Sequence, residues 1–488
     1  MPRKILMENG EKKKVLSGFA WKFAERIVSQ GIKFALSVIL ARLLMPAEYG
    51  TIAMIAVFIT ISDVFVSAGF TSSLIQKKDS DNLDFSTMFY CSMVLTVVIY
   101  IIIYFAAPYI AVFYNMPALT QITRVYAVIL FLNSFYSIQS AWVSRHMVFK
   151  KFFFVTSIGT FLSGVIGVVM AYRGYGVWAL IGQALSNVAI NIVVMNCIIA
   201  WRPRLEFSWK RAKSLMNFGS KILAASLIGS VCNEMRQLLV GKFYSASDLA
   251  FFNRGKTFPS LIYYNVDSTI NTVLFPAMSN HSDDPERVKQ LTRRTIRTSS
   301  YVMFFCMGVL AVIAHPLTEI LLTEKWLPSV PYMQIMCVGY MISSVSTANL
   351  QAIKALGRSD VTLKLELYKK PVFILMLVVS VKISVLALAI SMPLYSMYAA
   401  YVNMSPNKKI MGYGFKEQIR DYMPATLLFI VMVGAAIPFS FLDINAFLVM
   451  GVQICVCILV YVGLSMILKL ETFVYLKNTF METLLRRK

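Results

Sequence analysis

The sequence predicts an all-α, polytopic membrane protein of about fourteen transmembrane helices, with two six-helix lobes around a central cavity and two extra helices. Of the 488 residues, 58% are hydrophobic and 15% are charged, whereas soluble domains are about 45–50% apolar and about 25% charged. The apolar residues fall in runs of about 20, the length that a helix needs to cross the hydrocarbon. Lysine and arginine, in turn, are concentrated in alternate connections between these runs.

Fourteen apolar runs are long enough to cross a bilayer, and each is predicted to form one helix. They cover residues 16–44, 48–75, 86–107, 118–144, 152–172, 176–200, 214–240, 248–276, 295–322, 329–354, 361–381, 384–403, 420–442 and 446–468. The eighth run contains Arg254, Lys256 and Asp267, and only a short gap separates the eleventh run from the twelfth. A count of twelve or thirteen is therefore the alternative.

The distribution of basic residues predicts the orientation. Most of the 47 lysines and arginines lie in the amino-terminal segment and in every second connection after it, including Lys78 and the final Arg486, Arg487 and Lys488. The other connections contain only Arg173, Lys242, Lys325 and Lys382. Because cytoplasmic segments of membrane proteins are enriched in lysine and arginine, both termini are predicted to be cytoplasmic.

A weak repeat of 200 residues predicts the two lobes. Shifted by 200 positions, the stretch "ILARLLMPAEYGTIAMI" at 39–55 meets the stretch "LLVGKFYSASDLAFFNR" at 238–254, so that Arg42 corresponds to Lys242 and Glu48 to Asp248. Six spans separate the copies, which gives both halves the same orientation, as in transporters with parallel repeats. The predicted segments are a basic amino terminus (1–15), an N-lobe (16–200), a cytoplasmic linker (201–213), a C-lobe (214–403), a cytoplasmic loop (404–419), two further spans (420–468) and a cytoplasmic tail (469–488).

Several spans contain charges, each of which needs a partner or an aqueous cavity because a charge near the bilayer centre costs about 2.5–3.5 kcal/mol or more. In the first span, Lys22, Arg26 and Lys33 lie within about 40° of one another on a helix, on one face. The further intramembrane charges are Asp63 in the second span, Glu234 and Arg236 in the seventh, and Arg254, Lys256 and Asp267 in the eighth.

These charges allow two interpretations. In the functional one, a basic cavity binds an anion, and an acidic residue couples the cycle to protons or sodium. The candidate anion-binding residues are Arg26, Lys33, Arg236, Arg254 and Lys256, and the candidate coupling residues are Asp63, Glu234 and Asp267. In the structural interpretation, ion pairs such as Glu25 with Lys22 or Arg26 fix helix packing. The excess of cations over anions favours the functional interpretation.

Motifs for other classes of protein are weak. The net charge of +23 is scattered over short loops, so it does not indicate nucleic-acid binding, and the three histidines lie far apart, so no metal or cofactor is predicted. "DSD" at 79–81 matches a glycosyltransferase pattern but has no nucleotide-binding domain around it. "GKT" at 255–257 lacks the first glycine of a P-loop. No catalytic residue is predicted, and an enzyme is not expected.

Four strings in order resemble a known family. They are "ILARLLMPAEYGTIAMI" at 39–55, "GYGVWALIGQ" at 174–183, "FFNRGKTFPSL" at 251–261 and "LGRSD" at 356–360. The chain resembles Wzx-type polysaccharide biosynthesis flippases, which belong to the multidrug/oligosaccharidyl-lipid/polysaccharide exporter superfamily. The resemblance extends to about residue 365, and the later residues match in helix pattern only.

The resemblance implies a flippase that moves undecaprenyl-pyrophosphate-linked oligosaccharide repeat units from the cytoplasmic to the outer leaflet of a bacterial cytoplasmic membrane, for lipopolysaccharide or exopolysaccharide export. Arg26 and Arg254 best match the basic cavity-lining positions that the similar lipid II flippase has on its first and eighth helices. Membrane lipid, a polysaccharide polymerase and glycosyltransferases are the further partners implied. The alternatives are a cation-coupled multidrug antiporter, a membrane polymerase or glycosyltransferase, and an assembly scaffold that transports nothing.

Overall fold

The computed structural model of the chain describes residues 2–77, 79–442 and 444–485, with residues 2–20, 23, 68, 218, 221, 479, 480 and 483–485 described by their backbone alone. Within this part of the chain the regular secondary structure is helical throughout, which confirms the predicted all-α class. Each predicted span coincides with one helix or with consecutive helices. Of the basic residues that support the predicted orientation, Lys78, Arg486, Arg487 and Lys488 lie outside the described residues.

The chain divides into two compact units, Met1–Ala250 and Phe251–Lys488. The helices of the first unit are α1 (Pro2–Leu43), α2 (Pro46–Gln76), α3 (Asn82–Phe113), α4 (Leu119–Tyr126), α5 (Ile129–His146), α6 (Phe149–Tyr172), α7 (Val177–Ile198), α8 (Trp209–Phe243) and the start of α9 (Ala246–Thr269). The helices of the second unit after α9 are α10 (Phe275–Ser279), α11 (Pro285–Val312), α12 (Ala314–Leu322), α13 (Val330–Ala355), α14 (Ser359–Val381), α15 (Val385–Met404), α16 (Asn407–Met411), α17 (Phe415–Ala436), α18 (Ala446–Ile467) and α19 (Glu471–Leu485). A π-helical turn follows α9 at Ile270–Leu274, and 3-10 turns lie at Glu324–Ser329 and Ile437–Phe441.

In the first unit, α8 packs along α2 through small residues. A Cβ added to Gly69 would lie 2.8 Å from the carbonyl oxygen of Gly219, and a Cβ on Gly219 would lie equally close to Gly69. One turn further on, Ser73 Oγ donates to the carbonyl oxygen of Leu215 at 3.1 Å. Close approach at glycine and serine is usual for membrane helices, whose association depends on packing and hydrogen bonds. Thus α8 belongs to the first compact unit, while the lobe boundaries at 200 and 214 stay a prediction.

In the second unit, α11 is fixed to α17 by a buried ionic cluster. The Asp421 side chain is fully buried and accepts hydrogen bonds from Arg293 Nε at 2.8 Å and from Arg297 Nε at 2.8 Å. The Tyr413 hydroxyl donates a hydrogen bond to Oδ2 of the same carboxylate at 2.6 Å. Two cations and a hydroxyl therefore satisfy an acid that would be very costly to bury alone.

Nine helices, or pairs of consecutive helices, in the described part of the chain are long and apolar enough to cross a membrane. A tenth span results if α8, which bends by 51° between Trp209–Asn217 and Ile222–Phe243, is taken as one. The other predicted spans fall on α1, α9, α13 and α14, whose polar and charged side chains lower their hydropathy. The chain is therefore a multi-pass membrane protein, and fourteen spans stay a prediction.

Candidate functional site

The charged helices form two corners that are related by the predicted repeat. The break between α1 and α2 lies 200 residues before the break between α8 and α9. At the first corner, Glu48 Oε2 accepts a hydrogen bond from the backbone N–H of Met45 at 2.7 Å. At the second, Asp248 Oδ2 accepts one from the backbone N–H of Ser245 at 3.1 Å. The two acids that the alignment pairs thus cap the second helix of each corner in the same way, where negative charge is favourable.

On α1, the three aligned cations have different surroundings. Lys22 forms an ion pair with Glu25 at 3.1 Å, so of the two predicted partners of Glu25 the structure shows Lys22. Arg26 is half-buried. Lys33 is exposed and takes part in none of the ion pairs formed within the described part of the chain. The structural interpretation therefore holds for Lys22 and does not extend to Lys33.

The candidate residues Asp63 on α2 and Glu234 and Arg236 on α8 are half-buried in the first unit. Asp63 Oδ1 accepts a hydrogen bond from Asn133 Nδ2 at 2.9 Å, and its Oδ2 accepts one from Ser67 Oγ at 3.4 Å. Glu234 and Arg236 lie on α8, and the next residue, Gln237, donates to the carbonyl oxygen of Ala53 at 2.7 Å. This last bond fixes the charged turn of α8 against α2.

In the second unit, the buried Arg254 lies over the ring of one aromatic side chain. It is 7% exposed, and its guanidinium carbon lies 4.8 Å from the ring centre of the fully buried Trp326. Phe251 packs edge-on against the same indole at 6.1 Å. A cation over an indole face is stabilised by about 2 kcal/mol when water is excluded. In this conformation, therefore, Arg254 is held on Trp326 and is little exposed to solvent.

The residues around Arg254 let α9 and α13 approach closely. A Cβ on Gly255 would lie 2.6 Å from Cβ of Tyr332 and 2.9 Å from the backbone nitrogen of Met333. Only a residue without a side chain fits there, which explains the glycine in "FFNRGKTFPSL" through packing rather than phosphate binding. Lys256, the next residue, is half-buried.

Asp267 lies at the centre of a polar network between α9 and α13. Its Oδ1 accepts hydrogen bonds from Thr347 Oγ1 at 2.8 Å and from the Tyr263 hydroxyl at 3.2 Å. Its Oδ2 accepts one from Asn271 Nδ2 at 2.9 Å, and Gln351 Nε2 donates to the side-chain oxygen of Asn271. All of these donors are neutral, and Asp267 has no ion pair within the described residues. Both oxygens of the Asp267 carboxylate are thus held by uncharged donors.

The candidate residues are divided between the units. Arg26, Lys33, Asp63, Glu234 and Arg236 lie in the first unit, and Arg254, Lys256 and Asp267 lie in the second. A single cavity lined by both sets stays a prediction.

Sequence reasoning missed a charged cluster at the start of α3. Asp84 is fully buried and pairs with Lys77 at 2.7 Å and with Arg211 at 3.3 Å. Asp81, the last residue of the "DSD" string, accepts a hydrogen bond from the backbone N–H of Asp84 at 3.0 Å and pairs with Arg211, which lowers the pKa of Asp81 below its ordinary value of 3.8. The available signal was an acid three residues before another acid, a helix-start pattern.

These helices define a multi-pass helical membrane protein. Comparison with known protein families identifies the family to which the chain belongs. The family described as "Polysaccharide biosynthesis protein" matches residues 39–331, and the chain belongs to it. The resemblance drawn from the four strings is thus confirmed. Among curated proteins, the succinoglycan biosynthesis transport protein ExoT of Rhizobium meliloti (strain 1021) is 21% identical over 349 residues, covering 72% of this chain and 71% of the relative. The lipopolysaccharide biosynthesis protein WzxC of Escherichia coli (strain K12) is 21% identical over 369 residues, covering 74% of each chain.

Solved structures show the same fold. The lipid II flippase MurJ in an inward closed conformation superposes with a TM-score of 0.70 at 13% identity, covering 93% of this chain and 98% of that one. An inward-facing multidrug resistance transporter of the MATE family, in the MOP superfamily, gives a TM-score of 0.58 at 11% identity, covering 82% and 95%. At these identities the similarity concerns the fold alone. The predicted fold class is confirmed.

Proposed function

We propose that the protein is a flippase for undecaprenyl-pyrophosphate-linked oligosaccharide repeat units, which it moves from the cytoplasmic to the outer leaflet for polysaccharide export. The observation that carries the proposal is the presence of cations on membrane helices of a polysaccharide biosynthesis protein, Arg26 and Lys33 on α1 and Arg236 on α8. Relatives named for succinoglycan transport and lipopolysaccharide biosynthesis support the same class of substrate.

The chemistry of the substrate explains the basic residues. A pyrophosphate concentrates negative charge on oxygens that arginine engages with paired hydrogen bonds. Arg26, Lys33, Arg236, Arg254 and Lys256 would neutralise this charge in a wet cavity that also holds the glycan, while the polyprenyl chain stays in lipid. Alternating access would then expose the cavity to each side in turn. Arg254 would have to leave the face of Trp326 to reach the ligand, so its exposure would change during the cycle.

Coupling to protons or sodium is assigned most readily to Asp267. Ionisable residues inside a membrane usually mark ion or proton paths, and Asp267 is solvated by three neutral donors within the described residues. Asp63 is a second candidate, with Asn133 and Ser67 as donors, and Glu234 is a third.

The proposed setting is the bacterial cytoplasmic membrane, with both termini in the cytoplasm. Polymerases and glycosyltransferases that make and extend the glycan would be the functional partners, and the protein itself would catalyse no covalent step. A cation-coupled multidrug antiporter remains the competing proposal. It predicts a cavity with an excess of acidic groups, whereas the charged candidates on the helices here are mainly basic.

The experiment measures export of the glycan in the native host, after the gene is deleted and replaced by a wild-type or variant copy. Wild-type protein and Arg26→Lys should restore surface polysaccharide at least in part. Arg26→Ala should fail, with lipid-linked repeat units accumulating at the cytoplasmic face and normal amounts of protein in the membrane. Arg173→Ala, which removes an exposed cation from a predicted outer loop, is the matched control. Normal export by Arg26→Ala would remove Arg26 from the mechanism, and drug efflux without glycan export would favour the antiporter.

A further inference from the structure

The carboxyl-terminal helix α19 is fixed to the amino-terminal half of α11 by two contacts of its first turns. Arg297 Nη1 donates to Glu471 Oε2 at 2.6 Å. One turn later along α19, the Tyr475 ring lies 3.9 Å from the guanidinium carbon of Arg294. An amphipathic helix after the last span is expected to lie in the membrane interface. The contacts with α11 hold this one in place.

Two adjoining cavities lie beneath this helix, and their linings differ in character. The first has a volume of about 320 Å³ and is mainly apolar, with Val266, Ile270, Leu274 and Val302 in its wall. The second has a volume of about 290 Å³ and contains Arg293, Arg294 and Arg297. Arg294, Thr298 and Tyr475 line both. An apolar chamber thus continues into a cationic one, the shape of a site for an amphiphile.

The three arginines of the polar chamber differ in their acidic partners. Arg293 and Arg297 both pair with Asp421, Arg293 also pairs with Glu417 at 3.9 Å, and Arg297 also pairs with Glu471. Arg294 has no carboxylate within 4.0 Å among the described residues, and its guanidinium lies over the face of Tyr475. Arg294 therefore offers its hydrogen-bond donors to a ligand, and the Thr298 hydroxyl beside it can donate another.

We propose that this site binds an anionic phospholipid of the surrounding membrane. The phosphate would lie against Arg294 and Thr298, and an acyl chain would fill the apolar chamber next to the π-helical turn Ile270–Leu274. Basic pockets between helices at the cytoplasmic side of membrane proteins bind anionic headgroups in this way. The ligand is a resident lipid and not the transported one, because every residue of the site lies on α9, the π-helical turn, α11 or α19 and none is a cation proposed for the pyrophosphate.

Native mass spectrometry of the full-length protein, titrated in detergent with phosphatidylglycerol or phosphatidylcholine, tests the proposal. Wild type should retain phosphatidylglycerol in preference, and Arg294→Gln should bind it about fivefold more weakly, the loss expected for one interfacial cation. The matched control is Arg287→Gln, which removes an exposed cation seven residues earlier on α11, outside both cavities. Its affinity should stay that of wild type.

A second variant tests the apolar chamber without touching charge. Val302→Trp should fill it and weaken binding of phosphatidylglycerol while leaving weak binding of soluble glycerol phosphate unchanged. If Arg294→Gln and Arg287→Gln lost equal affinity for phosphatidylglycerol, the lipid would be held by unspecific charge attraction, and the proposal would be overturned. Tighter binding of glycerol phosphate than of the lipid would do the same. Since the readout is lipid binding, failure here leaves the proposed transport function untouched, and loss of glycan export leaves this site untouched.

Discussion

Gly50 of α2 passes Ala246, the first residue of α9, so closely that a Cβ on the glycine would lie 1.7 Å from the carbonyl oxygen of the alanine. The two residues belong to the equivalent corners that Glu48 and Asp248 cap. The corner strings found by the repeat are therefore in contact within the first unit, and the glycine of "AEYG" is required by that contact.

Gly50→Ala should destabilise the protein, because the obstructing atoms are backbone and cannot rotate away. We expect a loss of about 1–3 kcal/mol, as for other overpacked positions, seen as a lower melting temperature of the purified protein. Gly31→Ala on α1 is the control, since a Cβ there meets nothing within 4 Å and alanine favours the helix. Equal stability of the two variants would contradict the contact.

Asp421→Asn should weaken the attachment of α11 to α17. Removing one member of a buried ionic cluster deprives Arg293 and Arg297 of the buried carboxylate that they share. We expect a loss of about 3 kcal/mol, the lower end of the usual range, because both arginine side chains are 34% exposed. The measurement is again thermal unfolding. Asp283→Asn, an exposed acid before α11, should change little, and a comparable loss there would point to a general charge effect.

The variant Asp267→Asn tests whether Asp267 couples transport to protons or sodium. Asparagine keeps the shape of the side chain and removes its ability to ionise, so the melting temperature should stay near that of wild type while glycan export falls to background. Export would be measured as surface polysaccharide in the replacement strain. Asp360→Asn is the control, since Asp360 sits in an exposed ion pair with Arg358. Normal export by Asp267→Asn would exclude Asp267 as the coupling residue.

The ion pair of Asp81 with Arg211 predicts that the stability of the folded protein falls in acid. Because Arg211 lowers the pKa of Asp81 below 3.8, the unfolded chain binds a proton at a higher pH than the folded chain. The contribution to stability is thus complete well above pH 3.8 and is lost as the pH falls through the lowered pKa. The melting temperatures of wild type and Asp81→Asn should differ by a small, constant amount from about pH 7 to about pH 5 and converge in acid. A difference that widens towards low pH would contradict this assignment.

Parts of the candidate site follow directly from sequence. The correspondence of Glu48 with Asp248 needed only a shift of 200 residues, because each acid caps a helix three residues from its partner and the interaction is local. The pairing of Glu25 with Lys22 is local as well, and helical geometry restricted the choice to Lys22 or Arg26. By contrast, the apolar run 118–144 was predicted as one helix. In the structure α4 ends at Tyr126 and α5 begins at Ile129. No proline or glycine lies at this break, so the sequence did not indicate it.

The sequence by itself determined the class of protein, the positions of the long helices and the residues whose charge has to be explained, because crossing a bilayer imposes length and apolarity on each segment separately. The tertiary structure decided which partner each charge has. Arg293 and Asp421 are 128 residues apart in the chain, Arg254 stacks on Trp326, and Asp267 meets Thr347 across two helices. Such contacts depend on which side chains the packing of distant helices brings together, and hydrophobic periodicity does not predict them.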